Sequence, residues 1–217
     1  MLDVSGTGVP LIDRFGAYYN PANKKVELLA QLKTSSLEWT TILLGLLTDF
    51  WVSPGVPSYT SALAFFVDIA NNVAALPGTG EDHLVFTHSF DVAKFVAALT
   101  TLPAGSWKNE SLVQGDRLTT KELVKVAEQV KGTDFKVSYD SLEVLKSGKV
   151  TELPSHVAAY PSFPKPALQG FLATFGRAVV EHVFDVDRRA ETLSLQETFP
   201  DIKARSVKEL ITASVNA

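Results

Sequence analysis

The sequence predicts an α/β protein, and three observations support that fold class. Short apolar runs alternate with amphipathic stretches along 217 residues, as strands and helices do in α/β proteins. Apolar residues make up 46% of the chain, enough to bury a sizeable core. Glycines such as Gly45, Gly132 and Gly148 stand where a run ends. Fibrous, disordered and disulfide-stabilised classes are therefore excluded.

Charge and composition limit the partners. The 24 acidic residues outnumber the 20 basic ones, which disfavours a nucleic-acid partner because neutralising phosphates requires clustered Lys and Arg. The absence of cysteine excludes thiolate catalysis, iron–sulfur clusters and cysteine-ligated zinc. The sequence has neither a signal-like start nor a run of about 20 apolar residues. We therefore expect no secretion, no membrane partner and a cytoplasmic location.

The first half of the sequence predicts strands separated by two helices. One helix begins at Asn20, which can cap free amides, and runs to about Lys33. A second begins at Ser89 as its N-cap and repeats apolar residues at helical spacing. The apolar run over residues 63–75 fits either a helix or a strand, and a turn at residues 77–80 ends it. Strands are predicted at residues 9–12, 38–44 and 84–87.

The second half predicts shorter elements and a helical final third. Thr119 and Glu122 form a capping box at the start of one helix, and Ser206 and Glu209 form another. Asp140 is predicted to cap a short helix between them. Strands are predicted at residues 111–115 and 135–139. One helical stripe fits either core packing or an exposed partner surface; its members are Leu168, Phe171, Leu172, Phe175 and Val179.

Several familiar chemistries lack their motifs. The four histidines are scattered without metal-ligand spacing, so we predict no metal site. No G-x-S-x-G occurs, which argues against a serine hydrolase. The Gly-Thr-Gly triplets at residues 6–8 and 78–80 do not join a strand to a helix, so they are interpreted as turns and not as phosphate loops. A Tyr-x-x-x-Lys pair is also absent.

Lys25 is the informative lysine. On the first predicted helix it shares a face with Leu28, Leu29 and Leu32, so its ammonium points from an apolar stripe toward the interior or a cleft. Lys24 lies on the polar face. Desolvation lowers the pKa of a lysine toward values useful in proton transfer, and a partly buried cation attracts a negative ligand. The alternative is a side chain that reaches to water at the edge of the helix.

A series of short tracts follows one order along the chain. The lysine helix leads through Trp39-Thr40 to Gly45 and the Asp49-Phe50 loop. The other tracts are residues 15–16, 86–96, 115–119, 139–141, 151–154 and 199–202. Together they resemble NmrA-like proteins, atypical short-chain dehydrogenase/reductase relatives that include the isoflavone-reductase group. The tracts at residues 151–154 and 199–202 look most like the fungal branch.

The resemblance implies a fold, a cofactor and a site. The fold would be an incomplete NAD(P)-binding Rossmann-like fold with a small α+β substrate-side portion, and the cofactor NADP. Lys25 aligns with a lysine that lies beside the nicotinamide and ribose and serves in proton transfer or cofactor binding, so we predict it as the catalytic residue. The residues that would close over the nicotinamide follow the strand at residues 38–44: Leu46, Leu47, Thr48, Asp49 and Phe50.

The family pattern begins in this chain near Gly8. In the family a glycine-rich turn that holds the pyrophosphate precedes that point. We therefore expect residues 1–217 to form a single NmrA-like domain truncated at its N-terminal nucleotide-binding half. Parallel strands normally have both faces covered, so a homo- or hetero-oligomer that covers exposed sheet is a further expectation.

The leading functional hypothesis is NADPH-dependent reduction of a small, largely apolar carbonyl or conjugated metabolite, in fungal secondary metabolism. One alternative is a non-catalytic NmrA-like regulatory or interaction protein that has lost dinucleotide binding. A third is a shortened gene product with no independent function. Asp91 and Asp116 receive no catalytic role, because a helix start and a turn both stabilise carboxylates.

Overall fold

A computed structural model describes residues 20–52, 55–186 and 192–217, and describes side chains from residue 27 onward. The predicted strand at residues 9–12, the glycines at residues 6–8 and the tract at residues 15–16 lie outside the described residues. So does the side chain of Lys25, although its backbone lies within a helix.

Helices and strands alternate through most of the described chain. The helices are α1 (Asn20–Thr34), α2 (Ser89–Leu99), α3 (Thr120–Lys131), α4 (Leu142–Lys146), α5 (Pro154–Ala159), α6 (Lys165–Val180), α7 (Leu195–Thr198) and α8 (Val207–Val215). The strands are β1 (Thr41–Leu43), β2 (Leu46–Leu47), β3 (Val67–Asp68), β4 (Val73–Pro77), β5 (His83–Thr87), β6 (Glu110–Leu112), β7 (Asp116–Thr119), β8 (Lys136–Asp140) and β9 (Thr192–Ser194). A single turn of 3₁₀ helix, Thr48–Phe50, follows β2.

The described strands form three small sheets with mixed directions. In the first, β6 pairs in parallel with both β1 and β9. In the second, β5 pairs in parallel with β2 and antiparallel with β7. In the third, β4 pairs in parallel with β8 and antiparallel with β3. Parallel pairs joined by helices confirm the predicted α/β class.

Gly45 connects the first two sheets. It has a φ of +69°, a conformation that side chains with a Cβ rarely adopt. A Cβ built on Gly45 would lie 2.1 Å from the carbonyl oxygen of Val85 in β5. The backbones of β1, β2 and β5 can therefore come this close only with glycine at position 45. The sequence prediction of one strand over residues 38–44 that ends at Gly45 is confirmed in its central residues.

The main core lies between α3, α6, α8 and strands of the second and third sheets. Leu172, Leu84 and Ile211 are completely buried in it. A smaller cluster under α2 contains Phe95 and Leu195. The predicted stripe on α6 packs within the main core, which confirms core packing and removes the stripe as an exposed partner surface. Among the described helices, none combines the length and apolar character needed to cross a membrane.

Several sequence predictions need correction. Residues 63–75 form neither one helix nor one strand, because a turn between β3 and β4 divides the run. Strands β7 and β9 were not predicted, and β9 falls within a third predicted to be helical. Ser141 caps α4, because the carboxylate of Asp140 accepts hydrogen bonds from Thr151 instead.

Helix α1 also differs from its prediction. Leu29 is buried, but Leu28 on the same predicted apolar face is 54% exposed. Among the described residues no element covers that side of the helix at Leu28, so the apolar face extends into solvent there. The capping boxes at Thr119 and Ser206 are confirmed, as is the left-handed glycine that ends α3.

Candidate functional site

The predicted cofactor loop consists of β2 (Leu46–Leu47) and the 3₁₀ turn Thr48–Phe50, which leads into a buried cluster of polar side chains. Leu46, Thr48 and Asp49 are buried, whereas Leu47 and Phe50 are partly exposed. The segment begins directly after the close approach at Gly45.

Asp49 is completely buried, and each of its carboxylate oxygens is engaged. The Ser89 amide donates to Oδ2 at 2.9 Å, and the Ser89 hydroxyl donates to Oδ1. Ser58 Oγ donates to the same Oδ1 at 2.8 Å. Asp49 thus joins the turn at residues 48–50 to the first residue of α2 and to the loop that contains Ser58.

His88 lies on the other side of Asp49 and is 1% exposed. Its Nε2 is 3.7 Å from Asp49 Oδ1. Its Nδ1 faces the Phe90 amide at 3.3 Å and Arg205 Nη2 at 2.8 Å. Both of those groups are donors only, so Nδ1 must accept and the proton of the neutral ring lies on Nε2. His88, and not Ser89 as predicted, is the N-cap of α2, because the Ser89 hydroxyl is bound to Asp49.

Arg205 extends the cluster to the segment before α8. Its Nε donates to Asp91 Oδ2 at 3.1 Å, and its backbone amide donates to the same oxygen at 3.0 Å. Lys94 donates to the other oxygen of Asp91 at 2.8 Å. Asp91 is completely buried, so its charge is balanced by two cations and a backbone amide. This arrangement supports the structural role assigned to Asp91.

The environment shifts the pKa of each central group. Burial alone would raise the pKa values of Asp49 and Asp91, but hydrogen bonds to their ionised forms hold both below their ordinary range. Burial lowers the pKa of His88; Arg205 acts in the same direction, and Asp49 and Asp91 oppose it. The cluster is therefore stable with both carboxylates ionised and His88 neutral.

Acidification is expected to destabilise the fold in two stages. His88 has a folded pKa below its ordinary value of 6.5, so its contribution is complete above that pH and is lost as pH falls through the folded value. Asp49 and Asp91 also have lowered pKa values, so their contribution to stability is complete above about pH 3.9 and is lost as the pH falls below it. Asp82 and Asp116 have pKa values raised by burial, so they act in the opposite direction.

Urea unfolding at pH values from 8 to 3 measures this dependence. His88→Asn keeps a side-chain acceptor for the cap and removes the titrating ring. We expect this variant to lose the first stage and keep the second. Equal pH dependence in His88→Asn and the unchanged protein between pH 7 and 5 would contradict the assignment.

Two buried polar atoms of the turn make no hydrogen bond within the described part of the chain. They are Thr48 Oγ1 and Trp51 Nε1. Trp51 is the residue that follows the 3₁₀ turn, and its ring packs against Phe65 and Phe86. Buried polar atoms are normally paired, which leaves each of these two atoms with hydrogen-bonding capacity for water or a ligand group.

A stacked aromatic pair, of which one ring is exposed and the other partly buried, lies next to the cluster. Tyr59 is 97% exposed, and its ring stacks on that of Phe90 with centroids 5.6 Å apart and an interplanar angle of 19°. The preceding residues, Ser58 and Ser89, are the two that bind Asp49. The buried carboxylate therefore sets the position of a pair of rings at the surface.

Sequence reasoning missed most of this cluster. The roles of His88, Ser58 and Arg205 were not predicted, since their partners lie on other segments of the chain, 39 residues away for His88 and Asp49 and 117 for Arg205 and His88. The signal for His88 was its place in the tract at residues 86–96. In the described residues, no group of three or more His, Asp or Glu side chains could hold a metal ion.

The fold is that of NAD(P)-binding, Rossmann-like reductases. The structure matches the leucoanthocyanidin reductase–NADPH complex of Vitis vinifera with a TM-score of 0.66 at 16% identity, over 91% of this chain and 59% of that chain. It matches an isoflavone reductase with a TM-score of 0.63 at 13% identity, over 88% of this chain and 57% of that one. No protein-family model matches the sequence.

In sequence the chain is similar to fungal proteins named as oxidoreductases. It is 33% identical to the oxidoreductase swnN of Metarhizium robertsii over 190 residues, which are 86% of this chain and 55% of that protein. It is 31% identical to the oxidoreductase BOA1 of Botryotinia fuckeliana over 178 residues, 82% of this chain and 54% of that protein. The chain thus spans about half the length of these curated relatives.

Proposed function

We propose that the protein is an NmrA-like oxidoreductase that uses NADPH to reduce a small, largely apolar carbonyl or conjugated metabolite. The observation that carries the proposal is sequence similarity to a fungal oxidoreductase over 86% of the chain. The fold shared with an NADPH-bound reductase supports it. A role in fungal secondary metabolism belongs to the same proposal, as does a cytoplasmic location.

The described residues fit the nicotinamide end of the cofactor better than its pyrophosphate. The turn at residues 48–50 has a buried hydroxyl, Thr48 Oγ1, without a partner among the described residues, and this suits a polar group such as a carboxamide. The glycines at residues 78–80 lead into β5 and not into a helix, so they make no pyrophosphate cradle. We infer a nicotinamide-side site formed by Lys25 and residues 46–50.

Each part of this site has a proposed task. The nicotinamide cofactor, when bound, supplies the hydride. Lys25 binds the cofactor ribose or donates a proton to the substrate oxygen, the two roles that the family resemblance implies for it. Leu46 and Leu47 border the nicotinamide side, and Thr48 and Phe50 complete it. The side chain of Asp49 is completely buried and accepts three hydrogen bonds from Ser58 and Ser89, so it takes part indirectly.

Titration of the purified chain with NADPH tests the proposal. We expect quenching of tryptophan fluorescence and a rise in the unfolding free energy of about 2.7 kcal/mol at a cofactor concentration 100 times the dissociation constant. NADH is the matched control and should bind more weakly. No stabilisation at millimolar NADPH would contradict cofactor binding and favour the non-catalytic regulatory or interaction protein.

A further inference from the structure

Asp49 holds together three segments: the turn that follows β2, the start of α2 and the loop that contains Ser58. We call Asp49, Ser58 and Ser89 the Asp49 clamp. Through it the turn at residues 48–50 is fixed to α2 by Ser89 and to the loop at residues 55–60 by Ser58. His88 Nε2 lies 3.7 Å from Asp49 Oδ1, beyond hydrogen-bond distance, and makes no hydrogen bond with the described residues.

Stability alone is a poor reason for this arrangement. Taking a carboxylate out of water costs several kcal/mol, and apolar groups of similar volume often stabilise a core as well. Tyr59, next to Ser58, is 97% exposed and buries almost no area of its own, so packing does not hold it in place. The hydrogen bonds of the clamp therefore fix this exposed segment. A buried charge with several directional hydrogen bonds defines a position more strictly than apolar packing does.

We propose that Asp49 is a positioning residue, which holds the turn at residues 48–50 and the Tyr59–Phe90 pair in the geometry that receives the ligand. The inference rests on the proposed function, since the turn is the proposed nicotinamide-side site. Asp49 acts through Ser58 and Ser89 and makes no contact with the ligand itself. It replaces the expectation that the Asp49 side chain binds the cofactor directly.

The chain contains a matched control for this clamp. Asp140 is also buried, at 5% exposure, and accepts hydrogen bonds from the Thr151 amide at 2.9 Å and the Thr151 hydroxyl at 2.7 Å. It lies at the end of β8, in a different sheet from the turn. Asp140→Asn therefore removes a comparable buried carboxylate without touching the clamp.

The first experiment compares Asp49→Asn with Asp140→Asn. Both variants should lose similar unfolding free energy. Asp49→Asn should raise the dissociation constant for NADPH at least tenfold, whereas Asp140→Asn should leave it within twofold of the unchanged protein. Equal effects of the two variants on the dissociation constant would overturn the proposal, since they would show only a general loss of stability.

A milder pair covers the case in which Asp49→Asn fails to fold. Ser58→Ala removes one hydroxyl of the clamp, and Ser58→Thr retains it. We expect weaker NADPH binding by threefold to tenfold in Ser58→Ala and recovery in Ser58→Thr. Equal binding by the two variants would contradict a positioning role.

Hydrogen exchange separates this proposal from the proposed function. If the unchanged protein binds no NADPH, the proposed function fails, and the clamp is judged on exchange alone. Asp49→Asn should then speed exchange at the Ser89 amide and across residues 55–60, and Asp140→Asn should not. Unchanged exchange in Asp49→Asn would overturn the proposal.

Discussion

Replacing Lys25 with methionine is expected to lower NADPH-dependent reduction by on the order of 100-fold, the size of effect that loss of a general acid typically produces. Methionine keeps the length and apolar character of the lysine stem and removes the ammonium. If the lysine binds the ribose, the KM for NADPH rises; if it donates a proton, kcat falls. Steady-state kinetics with a conjugated carbonyl substrate distinguish these two roles.

Lys24→Met provides the control for this experiment. Lys24 is adjacent in sequence and lies on the polar face of the helix in the predicted pattern. Its replacement should change neither constant by more than twofold. If both variants lose the same activity, or neither does, Lys25 has no special role and its side chain simply reaches to water.

Local patterns predicted the elements whose ends carry their own signals. Helices α3 and α8 begin with capping boxes at Thr119 and Ser206, which satisfy free backbone amides, and a left-handed glycine ends α3. All of these contacts are between residues a few positions apart, so sequence spacing is sufficient to predict them. The division of residues 63–75 comes from antiparallel pairing of β3 with β4, in which Val67 lies opposite Ala74. Periodicity within one segment does not contain that information.

The candidate site shows the same limit more sharply. Residues 46–50 were predicted as one loop, whereas Leu46 and Leu47 form β2 and only Thr48–Phe50 form a turn. The task of Asp49 could not be predicted, because its partners Ser58 and Ser89 are 9 and 40 residues away. Ser89 illustrates the consequence: it has the chemistry of an N-cap, but a buried carboxylate competes for its hydroxyl and His88 takes the cap.

Gly45→Ala is expected to destabilise the fold more than any surface substitution would. Two costs add at this position: a positive φ of 69°, worth about 1–2 kcal/mol for a residue with a Cβ, and a contact at 2.1 Å with the Val85 carbonyl oxygen. Backbone atoms cannot rotate away as a side chain can, so β1, β2 and β5 must separate. The total loss should be on the order of 4 kcal/mol, a large share of the stability of a typical domain.

Comparison of Gly45→Ala with Gly105→Ala isolates the cost of the contact with Val85. Gly105 has a φ of +82° and nothing within 4 Å of a built Cβ, so its replacement incurs the conformational cost alone. Urea unfolding of both variants should show a loss of about 1 kcal/mol for Gly105→Ala and a markedly larger one for Gly45→Ala. Because only β2 separates Gly45 from the turn at residues 48–50, Gly45→Ala should also weaken NADPH binding, while Gly105→Ala leaves it unchanged. Equal losses of stability would show that the backbones of β1 and β5 are not held together at Gly45.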